Sequence, residues 1–120
     1  MSDAILLRED LGGVVRLTLN APRSLNALSD AMLAALKDAL AQLARETAVR
    51  VVVLRGAGKA FCAGHDLKEM QAGRQADDKG AAYFADLFTR CGDIMQAITT
   101  LPQPVIAEVH GIATAAGCQL

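Results

Sequence analysis

There is no tryptophan in these 120 residues, and only one tyrosine and three phenylalanines. A nucleic-acid-binding face built from aromatic rings among basic side chains therefore lacks its material. Twelve lysines and arginines against thirteen aspartates and glutamates leave a net charge of −1. That balance gives no long-range attraction to nucleic acid or to an anionic membrane. No apolar run approaches the ~20 residues that cross a bilayer. Met1-Ser2-Asp3-Ala4 carries no basic region ahead of its short apolar piece, so no secretory leader is expected. Cysteine is scarce and odd in number: Cys62, Cys91 and Cys118, with no CxxC pair. Reduced thiols and a cytoplasmic location are the expectation. Internal repeats and low-complexity tracts are absent as well.

What is there is hydrophobic content: 52% apolar and 21% charged residues, the composition of a soluble globular chain of at most one domain. Residues 5–9 and 14–19 read as strands, and Gly12-Gly13 supplies the turn of a hairpin. Asn20-Ala21-Pro22 ends the second strand. Ser29 is placed as an N-cap, with Asp30 in the first turn and Leu33, Leu36, Leu40 and Leu43 forming one buried helical face that ends near Arg45. Residues 51–54 form a continuous apolar, β-branched run suited to a strand covered on both faces. Strand, helix, strand in this order predicts a right-handed crossover. A polar stretch over 71–79 is expected to be mobile. A second helix is predicted over about 81–99, burying Phe84, Phe88 and Met95, until Leu101-Pro102-Gln103-Pro104 breaks it. Residues 105–109 read as a strand, and another helix opens from Thr114.

The most informative stretch is Gly58-Lys59-Ala60-Phe61-Cys62-Ala63-Gly64-His65-Asp66-Leu67-Lys68-Glu69-Met70, a small-residue turn that leads from an apolar strand into a short helix. A second junction of the same kind is Gly111-Ile112-Ala113-Thr114-Ala115-Ala116-Gly117-Cys118. Such turns leave backbone N–H groups unblocked by side chains, able to hold an oxygen that gains negative charge. Two of them from one domain can supply the two donors of an oxyanion hole.

Other motifs fail. Gly56-Ala57-Gly58-Lys59 hints at a phosphate loop, but Val53 stands where the first glycine belongs and Ala60 where Ser or Thr belongs. There is no Gly-x-Ser-x-Gly elbow. His65, Asp66 and His110 lack metal-ligand spacing, so no metal is expected. Cys62 reads as inert packing in preference to a thiol nucleophile paired with His65. Structural hydrogen bonds are expected of Glu108 and His110.

In series, Pro22-Arg23-Ser24-Leu25-Asn26-Ala27-Leu28, Phe61-Cys62-Ala63-Gly64-His65-Asp66-Leu67, Pro104-Val105-Ile106-Ala107-Glu108-Val109-His110-Gly111 and Ala115-Ala116-Gly117-Cys118 span nearly the whole chain. On these motifs the sequence resembles the N-terminal part of the enoyl-CoA hydratase/isomerase (crotonase) superfamily. The resemblance implies an α/β fold of the ClpP/crotonase type, a spiral of ββα units that is incomplete in this chain. Residues 1–120 would form the N-terminal part of the core domain, with the C-terminal remainder absent and a homo-oligomer, trimer or hexamer, implied.

It also implies an acyl-CoA thioester as substrate, with no cofactor beyond the coenzyme A that the substrate carries. The thioester oxygen would lie between the backbone N–H groups of His65 and Ala116. Ala27, Ala63, Gly64, Asp66, Leu67 and Lys68 would line the substrate and CoA path, although Lys68 reads equally as a solvated helix residue. The His65 imidazole would either donate to substrate or cap the turn, the cap being the favoured reading. Gln119 stands where the hydratases of the family carry a glutamate that activates water, and an amide cannot take a proton at neutral pH. Two readings follow: an acyl-CoA-processing enzyme of the hydratase/isomerase type, or a non-catalytic acyl-CoA-binding or regulatory homologue. A third, a fragment with neither property, stays open beside them. Acyl-chain length is not legible.

Overall fold

Gly12 and Gly13 both take positive φ, 58° and 91°, which L side chains resist. They turn β1 (Leu6–Leu11) back onto β2 (Val14–Leu19) in a two-residue hairpin, with Leu11 opposite Val14. The computed structural model describes residues 4–120, so the leader reading falls mostly on residues outside that range. The first strand begins and ends later than expected because its pairing runs right up to the glycines.

A 3-10 turn, Pro22–Ser24, follows. Leu25 and Asn26 then both adopt left-handed backbone at φ 55° before α1, Asp30–Leu43. Ser29 caps this helix: its Oγ accepts from the Met32 N–H at 3.1 Å. The expected face, Leu33, Leu36, Leu40 and Leu43, is buried, and Met32 joins it. Gln103 fastens the helix end, its buried Nε2 donating to the carbonyls of Leu43 (2.7 Å) and Glu46 (3.1 Å).

β3 (Val51–Gly56) pairs parallel with β2, and β5 (Val105–Glu108) pairs parallel with β3, giving the sheet order β1-β2-β3-β5. Val52 and Leu54 are buried whereas Val51 and Val53 are half-buried, so β3 is not covered on both faces as its unbroken apolar run suggested. Helices pack against the inward face of the sheet, the side of Val15, Leu17, Val52 and Leu54. There α3 (Ala81–Thr100) lies against α1, and the two helices and the inward side of the sheet share one core.

The inward face of α3 is Leu87, Cys91 and Ile94, not Phe84, Phe88 and Met95. Spacings of four and three residues point the first set at α1, while the phenylalanines lie on the neighbouring stripe. Phe88 is 53% exposed; Phe84 and Met95 are half-buried. Within the polar stretch, residues 71–73 belong to α2 (Leu67–Gly73), and Asp78 lies at the entry to α3, its Oδ1 accepting from Gly80 N–H at 3.0 Å and its Oδ2 from Ala82 N–H at 2.9 Å. Those two donors hold the Asp78 carboxyl below its ordinary pKa.

Two short strands were not foreseen. β4 (Ala60–Cys62) and β6 (Ile112–Ala113) pair parallel as a separate two-stranded sheet, and α4 (Ala116–Gln119) follows directly.

Replacing Ser29 with Ala is expected to remove about 1 kcal/mol of stability. Urea unfolding followed by far-ultraviolet circular dichroism measures this, and an unchanged midpoint would show that the cap contributes nothing.

Candidate active site

The site is built on a buried amide. Asn26, fully buried, accepts from the Ala21 N–H at 2.8 Å through Oδ1, and its Nδ2 donates to the carbonyls of Ala57 and Ala60, both at 2.9 Å. Three of its four hydrogen-bonding positions are thus spent tying the loop before α1 to both sides of the turn between β3 and β4. Asn tolerates the left-handed backbone this position requires. The Cys62 thiol donates to the Asn26 carbonyl at 3.1 Å, and burial pushes its pKa up. It is a protonated packing group, directed away from any partnership with His65.

From β4 the chain passes under residues 25–28. Ala63 N–H donates to Leu25 O at 3.1 Å, Leu28 N–H donates to Gly64 O at 2.7 Å, and Leu28 bridges His65 in parallel fashion. Ala27 is buried beneath this crossing. The second junction closes on the first: Thr114 N–H donates to Cys62 O and Thr114 Oγ1 to Ala63 O, each at 3.1 Å.

Gly64, at φ +95°, marks the contact. A Cβ there would sit 3.1 Å from Thr114 O, 3.2 Å from Ala115 Cβ and 3.5 Å from Ala116 N. A Cβ on Gly117 would collide with the Cys62 carbonyl. Ala115 is held at φ 51°, costly for a residue with a side chain, and such strain persists only where surroundings over-determine it. The two junctions therefore lie against each other through main-chain atoms. Among the described residues, neither the His65 N–H nor the Ala116 N–H donates to an acceptor within the chain.

The remaining candidates are dispersed around that contact. Asp66 caps α2, its Oδ1 accepting from Lys68 N–H at 2.9 Å and Glu69 N–H at 3.2 Å. The capping role expected of His65 thus belongs to its neighbour. The His65 ring turns instead toward α3 and meets Phe88 edge-on, with centroids 5.6 Å apart and planes at 63°. Its Nδ1 is buried without a partner, and desolvation lowers its pKa, so the neutral imidazole is favoured. Leu67 and Lys68 are exposed, and Lys68 forms no ion pair among the described residues. Gln119 is exposed at the end of α4.

His110 Nε2 meets Gly58 O at 2.6 Å, the structural hydrogen bond expected of it, whereas Glu108 forms an ion pair with Arg55 at 3.1 Å in place of the expected hydrogen bond. Among the described residues no three His, Cys, Asp or Glu side chains cluster as a metal would require, and no helix is long and apolar enough to cross a membrane. A cavity of about 460 Å³ lies elsewhere, between α1 and α3 at Leu33, Lys37, Leu40, Arg90, Ile94 and Leu101. No candidate residue lines it.

This arrangement of a mixed sheet, backing helices and two meeting strand-to-helix turns is the crotonase fold, present in part. The enoyl-CoA hydratase from Mycobacterium smegmatis superposes with a TM-score of 0.91 at 59% identity, over 98% of this chain and 44% of that one. Human enoyl-CoA hydratase domain-containing protein 3 superposes at 0.85, with 36% identity.

The family model for enoyl-CoA hydratase/isomerase matches residues 9–120, and the chain belongs to that family. Among curated relatives, the mitochondrial enoyl-CoA hydratase domain-containing protein 3 of Danio rerio is 40% identical over 99% of this chain and 39% of its own length. The 1,2-epoxyphenylacetyl-CoA isomerase of Escherichia coli K12 is 38% identical over 90% of this chain and 40% of its own length. The chain thus spans about two fifths of the relatives it matches.

Asn26→Ala is expected to cost about 3 kcal/mol, because buried partners on three segments are left unsatisfied; a loss below about 1 kcal/mol in urea unfolding would refute its role as the tie. A second expectation concerns pH. The folded state holds the His65 pKa below the ordinary 6.5. An unfolded chain therefore takes up a proton, below that pH, which the folded site refuses. The contribution of His65 is complete above pH 6.5 and is lost as the pH falls toward the depressed folded value. The drop in urea midpoint between pH 7.5 and 5.5 should be smaller in His65→Gln than in the parent; equal drops would show that His65 is not the group responsible.

Proposed function

We propose that the intact protein is an acyl-CoA-processing enzyme of the hydratase/isomerase type, in which the His65 and Ala116 N–H groups share the thioester oxygen. The observation that carries this reading is the contact of the two junctions at Gly64, with both amides free of internal acceptors among the described residues. Charge moves onto the thioester oxygen as an enolate forms. Two fixed amide dipoles stabilise it more than the neutral carbonyl, and loss of one such donor typically costs a factor of about 10²–10³ in rate. The absence of a Cβ at Gly64 keeps the approach narrow but open. Ala27, Ala63, Asp66, Leu67 and Lys68 would flank the CoA moiety, Lys68 as a free cation toward phosphate. No further cofactor and no metal are needed for this step, since the donors are main-chain atoms.

Gln119 limits which reaction follows. An amide orients water or substrate by hydrogen bonding but does not relay a proton, so proton transfer must rest on another group. A double-bond isomerisation makes no use of an added water, and one of the relatives is named an isomerase of an acyl-CoA. The same glutamine favours the second reading, a homologue that binds acyl-CoA esters without turnover. Three free cysteines fit a reducing compartment; the cytoplasm is the proposed one, although vertebrate relatives carry "mitochondrial" in their names. A trimer or hexamer is proposed with the family.

Isothermal titration of the intact protein with a saturated acyl-CoA, alongside loss of crotonyl-CoA absorbance, separates the readings. The enzyme reading expects binding and turnover, with hydration increased in Gln119→Glu. Binding without turnover of enoyl-CoA isomers or crotonyl-CoA leaves the binder; no binding defeats both.

A further inference from the structure

Resting on that acyl-CoA reading, we propose that the acyl pocket is walled by His65, Phe88 and Phe84 and selects an aryl group over an aliphatic one of the same size. The chain has four phenylalanine and tyrosine residues in all, and three of them, Tyr83, Phe84 and Phe88, lie on one stretch of α3. They form a continuous row. Tyr83 and Phe84 meet edge-on at 5.4 Å, Phe84 and Phe88 lie nearly parallel at 6.1 Å with planes 22° apart, and His65 closes the row edge-on to Phe88 at 5.6 Å.

Tyr83 and Phe84 rest against the edge of the core, whereas Phe88 stands clear of it. The inward stripe of α3 is Leu87, Cys91 and Ile94, and Phe88 keeps 53% of its surface exposed in mid-helix. An aromatic ring so placed, held at a fixed tilt by its neighbours, is a surface ready for a flat partner.

Position ties the row to the chemistry. The residue whose ring ends it is the residue whose N–H is the first proposed donor, so an acyl group held by that N–H would be brought to the His65 end of the row, beside Phe88. The alternating tilt of 63° and 22° offers both an edge and a face to an inserted ring. Such pairings give more than area burial alone, whereas a saturated ring of equal size gains only the burial. The groove between α1 and α3, by contrast, is lined mainly by aliphatic side chains and is remote from both amides.

The test is calorimetric titration of the intact protein with 3-phenylpropanoyl-CoA and with 3-cyclohexylpropanoyl-CoA, matched in chain and ring size. The phenyl ester is expected to bind about threefold to tenfold tighter. Phe88→Leu should bring the two affinities together while leaving the affinity for free CoA unchanged; Phe88 is half exposed, so that change spares the core. Equal binding in the parent, tighter binding of the cyclohexyl ester, or a preference that survives in Phe88→Leu overturns the aromatic wall and leaves the acyl-CoA reading standing. If neither ester binds, the acyl-CoA reading itself falls, and the wall with it.

Discussion

The seam between β4 and β6 is closed by main chain against main chain, and the arrangement of the site depends on it. Side chains would hold these segments apart: a Cβ at 117 would strike the Cys62 carbonyl, and one at 64 would crowd Thr114, Ala115 and the Ala116 nitrogen. Small residues here are not a failure to fill space. They are what lets two turns from distant parts of the sequence share a single neighbourhood, with Thr114 stitching them together through its amide and its hydroxyl.

That seam is held from behind by a different kind of device. Asn26 satisfies three backbone groups at once in a place that water does not reach. A buried polar group costs stability unless it is paired, and a fully paired one admits few alternative arrangements. The apolar core beneath, from Val15, Leu17 and Leu19 to Leu87 and Ile94, supplies non-directional attraction. Asn26 and Gln103 supply direction, one anchoring the turn ahead of β4 and the other the end of α1. Strain at Ala115 is tolerated because both sides of the turn are already fixed.

Much of this was legible in the sequence, and the failures share a cause. Periodicity found α1 and its four leucines because a helix packed on one side repeats its environment regularly. The glycine pair found the hairpin because positive φ has a residue preference. β4 and β6 escaped because strands of three and two residues carry no period to detect. The buried face of α3 was misplaced because hydrophobicity alone does not separate a core-facing stripe from an aromatic stripe beside it. The unbroken valines of β3 suggested cover on both faces, yet only alternate residues are buried. At the site, the small-residue junctions announced themselves, but the tie made by Asn26 did not. Its signal was an asparagine between a proline turn and a helix start, common to many loops; what gave it meaning was the meeting of three segments, which only the fold supplies.

The unengaged groups at 65 and 116 are amide hydrogens, and every residue except proline has one. Replacing the His65 side chain by alanine, or Ala116 by any residue but proline, leaves each of these hydrogens in place, so side-chain substitution does not report on them. Their contribution is accessible to chemistry of another sort: semisynthesis that exchanges a single peptide linkage for an ester, deleting one hydrogen while sparing every side chain.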